Sequence, residues 1–197
     1  MNQAHLEFLA SPWWANYLET ELLPWVLGAA DLGDDVLEVG PGPGLTTDVL
    51  RRQVAALTAV EVDGDLAAAL ANRLAGTNVE VVHADATDSG LATDRFSAAT
   101  CFTMLHHVAS PELQDRLFAE VCRVLRPGGI LIGTDSMDSD AVRQGHVDDV
   151  FVPVDPATLG LRLEAAGFVD VSVGRASDAW GERVRFHARK PVPGGSS

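Results

Sequence analysis

The chain has 197 residues, of which 47% are apolar and 21% are charged, a balance typical of one globular domain with a sizeable core. Acidic residues outnumber basic ones by 28 to 14, which gives a formal net charge of −14. This charge argues against nucleic acid and anionic membrane surfaces as partners, because both attract basic protein faces. A small neutral or cationic partner is compatible with it.

The cysteines and the N-terminus predict a cytoplasmic location. Cys101 and Cys122 lie in apolar surroundings without a C-x-x-C spacing, so we expect two buried, reduced thiols. Residues 1–10 lack the basic segment and long apolar core of a signal peptide, and no run approaches membrane-spanning length. The oligomeric state stays open between monomer and homodimer.

The first predicted elements are helices: a short one over residues 2–10 and an amphipathic one from Trp13 to Leu27. The second helix carries an aromatic cluster formed by Trp13, Trp14 and Tyr17. Two interpretations stay open. The rings pack the leading helix onto the domain, or one of them covers a ligand pocket.

A glycine turn between Val36 and Gly44 follows, in the order Val-Leu-Glu-Val-Gly-Pro-Gly-Pro-Gly. The apolar run predicts a short buried strand with one acid, Glu38, inside it. The residues after the turn, from Leu45 to Val54, predict a helix. A strand, a glycine turn and a helix in this order are typical of a nucleotide-type site, where backbone N–H groups and the helix end face a ligand.

The glycine spacing narrows the ligand. A dinucleotide fingerprint needs G-x-G-x-x-G, but here the third glycine comes one residue early. Pro41 and Pro43 also remove two N–H donors, which makes the turn poor at holding a pyrophosphate. The pattern suits a nucleoside ligand without phosphate, and a P-loop is excluded. The alternative is an ordinary strand-to-helix turn.

Acids follow the next two predicted strands. Glu61 ends the strand Ala56–Asp63, about twenty residues after the first glycine of the turn, where an acid can accept both ribose hydroxyls. Asp63 competes for that role but more simply caps the following helix, Asp65–Leu74. Asp85 follows the third strand, residues 78–83, and could accept a hydrogen bond from an exocyclic amine. Its alternative is a solvated turn aspartate.

The second half continues the alternation of strand and helix. Strands are predicted over residues 96–102 and 130–135, with a helix from Ser110 to about Leu125 between them and a break at 126–129. Alternating strands and helices favour a parallel sheet with helices on both faces.

The C-terminal third closes the sheet. Residues 136–154 predict a surface loop or lid, and a helix then runs from Pro156 to about Ala166. The strand-like stretches 168–174 and 183–188 are close enough to pair antiparallel as an edge hairpin. We expect one domain that includes the N-terminal helices in residues 2–30. Its predicted extent is residues 1–190, with a disordered tail over 191–197.

Taken together, four motifs resemble those of class I S-adenosylmethionine (SAM)-dependent methyltransferases, of the small single-domain type that acts on small molecules. They are the glycine turn (36–44), the second-strand acid (59–63), the adenine-side aspartate (83–86) and the break before the fifth strand (125–129). The closing strands also resemble that family's hairpin. The resemblance implies an α/β fold: a Rossmann-like, doubly wound sheet of seven strands, mostly parallel, with an antiparallel C-terminal hairpin.

The resemblance also implies that SAM is the cofactor. The three glycines would approach its methionine part, Glu61 would hold the ribose hydroxyls, and Val62 would pack on the adenine beside Asp85. The implied cofactor-binding residues are Glu38, Gly40, Gly42, Gly44, Glu61, Val62, Asp85, Ala86, Phe102 and Thr103.

Two histidines follow the fourth strand, near the expected position of the methyl group. His106 and His107 are candidate catalytic residues, because a neutral imidazole can take a proton at neutral pH; His107 is slightly favoured. The alternative is that one packs inward and the other is partly solvated. No metal site is expected.

The acceptor is predicted only as a class. Residues 101–104 depart from the [D/N]-P-P-[Y/F] pattern of amide and exocyclic nitrogen methylases. The acidic balance favours a small-molecule acceptor, and the apolar or aromatic lining offered by the Trp13 and Trp14 region suggests its character. The alternatives are a SAM-binding protein without transferase activity, an RNA methyltransferase and, on a similar sheet, a nucleotide-dependent oxidoreductase.

Overall fold

The computed structural model of the chain describes residues 7–178 and 181–194. Its strands are β1 (Asp35–Val39), β2 (Ala56–Glu61), β3 (Val79–His83), β4 (Phe96–Phe102), β5 (Leu125–Ser136), β6 (Val169–Asp178) and β7 (Gly181–Arg189). They form one seven-stranded sheet in the order β3-β2-β1-β4-β5-β7-β6. Every neighbouring pair is parallel except the two made by β7. The predicted α/β class and the antiparallel C-terminal hairpin are confirmed.

The helices are α1 (Pro12–Tyr17), α2 (Leu23–Leu27), α3 (Leu45–Leu50), α4 (Gly64–Arg73), α5 (Pro111–Val124), α6 (Asp140–Gly145) and α7 (Pro156–Ala165). Side-chain caps begin several of them, as the sequence predicts. The Asp63 carboxylate accepts from the N–H groups of Asp65 and Leu66 at 3.0 and 3.1 Å, and the Ser110 hydroxyl accepts from Leu113 N–H at 3.3 Å. Such caps satisfy donors that have no partner inside the helix.

The leading helix is not uniform. A π-helical turn, Leu18–Leu22, lies between α1 and α2, and the Leu23 N–H bonds to Leu18 O, five residues back. Pro24 has no N–H, so the ordinary bond back to Thr20 O cannot form. The helix here uses hydrogen bonds that span five residues instead of four. Residues 7–9 are helical; the rest of the predicted 2–10 helix lies outside the described residues.

Two of the predicted boundaries that differ from the structure have local reasons. Helix α3 ends at Leu50 and not at Val54, because the bonds that follow it, such as Gln53 N–H to Leu50 O at 2.8 Å, span three residues instead of four. The predicted break at 126–129 lies inside β5 as an irregularity in its register with β4. Backbone bonds between Gly128, Gly129 and Lys190 keep that segment in the sheet.

The prediction of an irregular stretch before the last helix needs a correction too. Residues 136–154 were predicted as irregular, but they contain α6, capped by Ser139, and end in Val154, which is fully buried. Residues 191–194 are exposed, and the rest of the predicted tail lies outside the described residues. In the described residues, 7–178 and 181–194, no helix is long and apolar enough to cross a bilayer.

Two apolar clusters lie on opposite faces of the sheet, since adjacent residues of a strand belong to different clusters. Leu37 packs with Leu117 and Phe118 of α5, while Val36 packs with Leu18 and other residues of the N-terminal helical segment. A strand buried on both faces is typical of a parallel sheet between helical layers. Cys101 and Cys122 are free and buried, as predicted.

Candidate functional site

The carboxyl ends of β1, β2, β4 and β5 meet at one edge of the sheet, where two cavities open. We call the first the glycine-turn cavity; its volume is about 360 Å³. The second, the aromatic cavity, has a volume of about 380 Å³. The segment 103–107 separates them, because Thr103 and His106 line the aromatic cavity while Met104 and His107 line the glycine-turn cavity. Open α/β sheets bind ligands at this edge.

Six of the ten predicted cofactor residues line the glycine-turn cavity: Gly40, Gly42, Glu61, Val62, Asp85 and Ala86. The sheet brings them together from the ends of three strands. Of the other four, Glu38, Gly44 and Phe102 line neither cavity, and Thr103 lines the aromatic cavity.

The glycines of the turn serve different purposes. All three have positive φ, between 54° and 86°, which L side chains adopt only with strain. A Cβ on Gly42 would meet nothing within 4 Å, so its backbone is open to a ligand. A Cβ on Gly44 would lie 2.3 Å from Leu70 and 2.6 Å from Arg73. Gly44 therefore permits close packing of the turn on α4.

Glu61 is held by the backbone at the end of β2. Its two carboxylate oxygens accept from Gly42 N–H and Asp63 N–H, each at 3.0 Å. The side chain is buried but lines the glycine-turn cavity. A carboxylate oriented in this way keeps lone pairs for two further donors, as a ribose diol offers.

Asp85 and Val62 complete the distal wall of this cavity. Asp85 Oδ1 accepts from Thr87 N–H at 2.8 Å, which leaves its second oxygen for another donor. Val62 is 66% exposed, an unusual state for an apolar side chain, and Val150 contributes a second exposed valine. Apolar walls with one acceptor fit a flat heterocycle that carries an amine.

Glu38 lies beneath the turn and is buried. Oε1 accepts from the Thr46 hydroxyl of α3, and Oε2 has no hydrogen-bond partner within the described residues. Burial raises the pKa of Glu38 to about 7, against the opposing effect of the hydrogen bond from Thr46. A buried carboxyl with a spare oxygen would be stabilised in its charged form by a cationic group in the turn.

Thr103 turns the chain at the end of β4. Its φ is +52°, which is rare for a β-branched residue, and its N–H donates to Thr134 O at 2.8 Å. A 3₁₀ turn, Leu105–His107, follows directly. After this bend Thr103 and His106 line the aromatic cavity, Met104 and His107 line the glycine-turn cavity, and Leu105 is buried in the core.

His106 forms a buried pair with Asp135, at the end of β5. Its Nδ1 hydrogen-bonds to Asp135 Oδ1, and its backbone N–H donates to Oδ2 at 3.3 Å. His106 is 3% exposed and Asp135 fully buried. Burial alone would raise the pKa of Asp135, but the imidazole and the hydrogen bonds from His106 and Ser136 hold it below its usual range. An ionised Asp135 accepts from Nδ1 and so fixes the orientation of the ring.

His107 and His146 lie against that pair. The ring centroid of His106 lies 4.2 Å from that of His107 and 4.8 Å from that of His146. His107 Nδ1 is 3.9 Å from Asp149, and His146 Nδ1 is 2.7 Å from Val142 O. Burial lowers the pKa of His146, against a smaller opposing effect of that carbonyl.

The aromatic cavity draws its walls from distant stretches of the chain. Its lining residues are Phe8, Leu9, Trp14, Thr103, His106, Ser136, Ala141, Val142, Gly145, His146 and Arg183. Trp14 belongs to the aromatic cluster for which the sequence left a pocket-covering role open, and it is also buried in the core. This ring therefore packs the leading helix onto the domain and also lines a cavity.

Sequence reasoning assigned no role to Asp135 or His146. A signal for Asp135 was available, because it is an acid at the carboxyl end of a predicted parallel strand, the reasoning that identified Asp85. His146 had no such signal. It lies forty residues from His106 in a stretch predicted to be irregular, and only the tertiary fold brings the two rings together.

Comparisons with known proteins find matches that are named as methyltransferases. A protein family described as "Methyltransferase domain" matches residues 37–133, which extend from β1 into β5. The ubiquinone biosynthesis O-methyltransferase of Xanthomonas oryzae pv. oryzae (strain PXO99A) is 27% identical over 212 residues, covering 93% of the chain and 87% of that protein. The demethylmenaquinone methyltransferase of Clavibacter sepedonicus is 34% identical over 101 residues, covering 51% of the chain and 40% of that protein.

A solved structure has the same fold. The N-methyltransferase NodS from Bradyrhizobium japonicum WM9, in complex with S-adenosyl-L-homocysteine, superimposes with a TM-score of 0.72 at 18% identity. The match covers 96% of the chain and 97% of NodS. At this identity the similarity concerns the fold.

Proposed function

Because the chain is a class I SAM-dependent methyltransferase, we propose that it moves the methyl group of SAM to a hydroxyl oxygen of a small-molecule acceptor bound in the aromatic cavity. The observation that carries this proposal is the buried His106–Asp135 pair on the wall of that cavity. A hydroxyl acceptor must lose a proton as the methyl group arrives, and an imidazole backed by a carboxylate is suited to receive it.

SAM is the cofactor of this enzyme, and the glycine-turn cavity fits it. We assign its ribose hydroxyls to Glu61, its adenine to the wall formed by Val62 and Asp85, and its methionine part to the open backbone at Gly42. The spare oxygen of Glu38 below the turn suits the cationic amino group of that part. When bound, SAM supplies a methyl group that is already activated for transfer.

The chain's main task is then to place an oxygen in line with that methyl group. The segment 103–107 is the wall shared by the two cavities, so a group bound on each side approaches the other across it. The strained turn at Thr103 sets the path of this wall. The aromatic cavity, with Phe8 and Trp14 among its lining, encloses the acceptor and limits the access of water.

We assign the proton transfer to His106. Its Nδ1 faces Asp135, so the ring presents Nε2, which is buried and has no hydrogen-bond partner among the residues described. Asp135 stabilises the imidazolium that forms once Nε2 has taken the proton. His107, which the sequence slightly favoured, faces the glycine-turn cavity and belongs in this proposal to the cofactor side.

The acceptor class follows from the lining and is supported by the relatives. The walls of the aromatic cavity are mostly apolar, with aromatic rings and a few polar groups, which suits a flat apolar ring that carries a hydroxyl. Two relatives are named for methyl transfer in quinone metabolism. The net charge of −14 opposes an RNA acceptor. We retain the expectations of a cytoplasmic enzyme that is a monomer or a homodimer.

An acceptor screen tests this proposal. The protein and labelled SAM are incubated with matched sets of phenols, hydroxylated quinones, aromatic amines and a short RNA, and products are identified by mass spectrometry. We expect O-methylated phenols or hydroxyquinones. Methylation confined to amines or to RNA would contradict the proposed acceptor while leaving the enzyme class intact.

A further inference from the structure

Three imidazoles meet between the two cavities, and their ligand atoms all lie within 4.8 Å of one another: His106, His107 and His146. From this cluster, we propose that the three histidines form a binding site for a single divalent transition-metal ion of the zinc class. The site is separate from the cofactor chemistry, since SAM needs no metal to carry its methyl group.

The Nδ1 contacts orient the rings for metal binding. Nδ1 of His106 faces Asp135, and Nδ1 of His146 lies 2.7 Å from a carbonyl oxygen and must therefore carry its proton. Nδ1 of His107 points toward Asp149 at 3.9 Å. In His106 and His146, Nε2 is then the atom that can offer a lone pair, and in His107 we assign the same role to Nε2, which is buried. A metal-ligating histidine almost always has its other nitrogen bonded to a carboxylate or a carbonyl in this way.

Burial provides a second observation. All three Nε2 atoms are buried, and that of His106 has no hydrogen-bond partner in residues 7–178 or 181–194 although its side chain is almost fully enclosed. A buried polar atom left without a partner costs about 1–3 kcal/mol. A metal ion bonded to Nε2 would remove that cost.

Charge and donor type select the ion. Two carboxylates, Asp135 and Asp149, stand behind the imidazoles, so a dication would balance the negative charge that they bring. Imidazole nitrogens favour zinc, copper, nickel and cobalt, whereas magnesium and calcium prefer oxygen. Zinc needs nitrogens about 2.0–2.1 Å away, so the rings would have to draw closer by roughly an ångström. His146 follows the short helix α6, and it is the ring that we expect to shift toward the other two.

The site would have three protein ligands and an open fourth position. His106 and His146 both line the aromatic cavity, so that position faces it. Three histidines with one open position are typical of zinc sites that hold a water or a substrate in the fourth position, in contrast to closed structural ones. If His106 acts as proposed above, its Nε2 cannot hold a metal and receive a proton at the same time. Metal occupancy would then suppress methyl transfer, a consequence that rests on the proposed function.

A cobalt titration of the full chain without SAM or acceptor tests the site directly. Cobalt(II) bound by three nitrogens in a four-coordinate site absorbs strongly in the visible range, and zinc should displace it. We expect saturation at one equivalent for the wild type and at least a tenfold weaker affinity for His146→Gln. The matched control, His187→Gln, changes a half-buried histidine on β7 that lies outside the cluster and should bind cobalt as the wild type does.

The outcomes separate the site from the function. Circular dichroism establishes that His146→Gln is folded, and stabilisation by SAM shows that its glycine-turn cavity is intact. Absence of the visible band in the wild type would overturn the metal site, as would equal cobalt affinity in His146→Gln and wild type. Neither result would bear on methyl transfer to a hydroxyl, which the acceptor screen measures in metal-free buffer.

Discussion

The two cavities differ in how the chain builds them. Of the twenty residues that line the glycine-turn cavity, twelve lie between residues 39 and 87, mostly in turns and at strand ends, and the others come from 104–117 and 149–150. The aromatic cavity collects residues from four separate stretches: 8–14, 103–106, 136–146 and Arg183. A site for a common cofactor can thus be encoded by local geometry, whereas an acceptor site depends on how distant elements pack.

The comparison predicts that changes in the two cavities affect different quantities. On the cofactor side a substitution should alter the affinity for SAM, and on the acceptor side it should alter turnover. The predictions below test that separation, from the largest expected effect to the smallest.

The largest effect is expected from His106→Gln. Loss of the base should lower turnover by about 10²–10⁴-fold, while the dissociation constant of SAM stays within roughly twofold, because His106 does not line the glycine-turn cavity. Steady-state kinetics on an acceptor found by the screen, together with calorimetry for SAM, provide both numbers. His187→Gln is the control and should behave as wild type. A fall in SAM affinity without a fall in turnover would show that His106 contacts the cofactor and not the acceptor.

Glu38→Gln should change the pH dependence of stability. The pKa of Glu38 is raised from 4.5 to about 7 by burial, so the stability associated with its neutral form is full below pH 4.5 and is lost as the pH rises to 7. The loss corresponds to about 3 kcal/mol. In the SAM-free protein the variant should therefore be more stable than wild type at pH 8 by roughly that amount, with little difference near pH 4.5.

Chemical unfolding of both proteins between pH 4.5 and pH 8 measures this difference. Added SAM should reduce it, because a cationic amino group near Glu38 would stabilise the charged carboxylate of the wild type only. A difference that does not vary with pH would show that Glu38 is ionised throughout the range.

Gly44→Ala and Gly42→Ala separate packing from ligand contact. Both residues have positive φ, but only a Cβ on Gly44 would overlap Leu70 and Arg73. We expect Gly44→Ala to lower the free energy of unfolding by roughly 2–4 kcal/mol, from strain plus overpacking. Gly42→Ala should cost about 1 kcal/mol of stability and weaken SAM binding instead. Equal losses of stability would contradict the assignment of Gly44 to packing.

The smallest effect is expected from Glu61→Ala. Loss of hydrogen bonds to the ribose hydroxyls should weaken SAM binding by roughly 1–3 kcal/mol, measured by calorimetry. Glu80→Ala is a matched control, since Glu80 is an exposed glutamate on the adjacent strand that pairs with Arg95. Unchanged affinity in Glu61→Ala would mean that another group holds the ribose.

The same division between local and distant contacts separates the elements that the sequence predicted from those that it missed. The strand before the glycine turn, the caps by Asp63 and Ser110, and the closing hairpin were predicted because each depends on neighbours within a few residues. The π-helical turn was missed although Pro24 was visible. A proline in a helix can kink, end or widen it, and packing of the helix on the sheet decides which.

For the candidate site, the sequence predicted six cofactor residues and two histidines that the fold brings to the same edge of the sheet, but it did not predict which cavity each histidine lines. Which cavity each side chain of this segment lines depends on the left-handed turn at Thr103, a conformation that no β-branched residue favours by itself. The partner of His106 depends on the register of β5 beside β4, which aligns Phe102 with Thr134 and sets Asp135 next to the segment.

The sequence by itself determined the order of strands and helices, the glycine turn and the acids at the strand ends, because hydrophobic periodicity, caps and positive-φ glycines act over short distances. It also determined the class of cofactor through those same local motifs. Only the tertiary structure decided that His106 meets Asp135 and that His146 joins them, since contacts between residues so far apart in the chain depend on how the helices and strands pack.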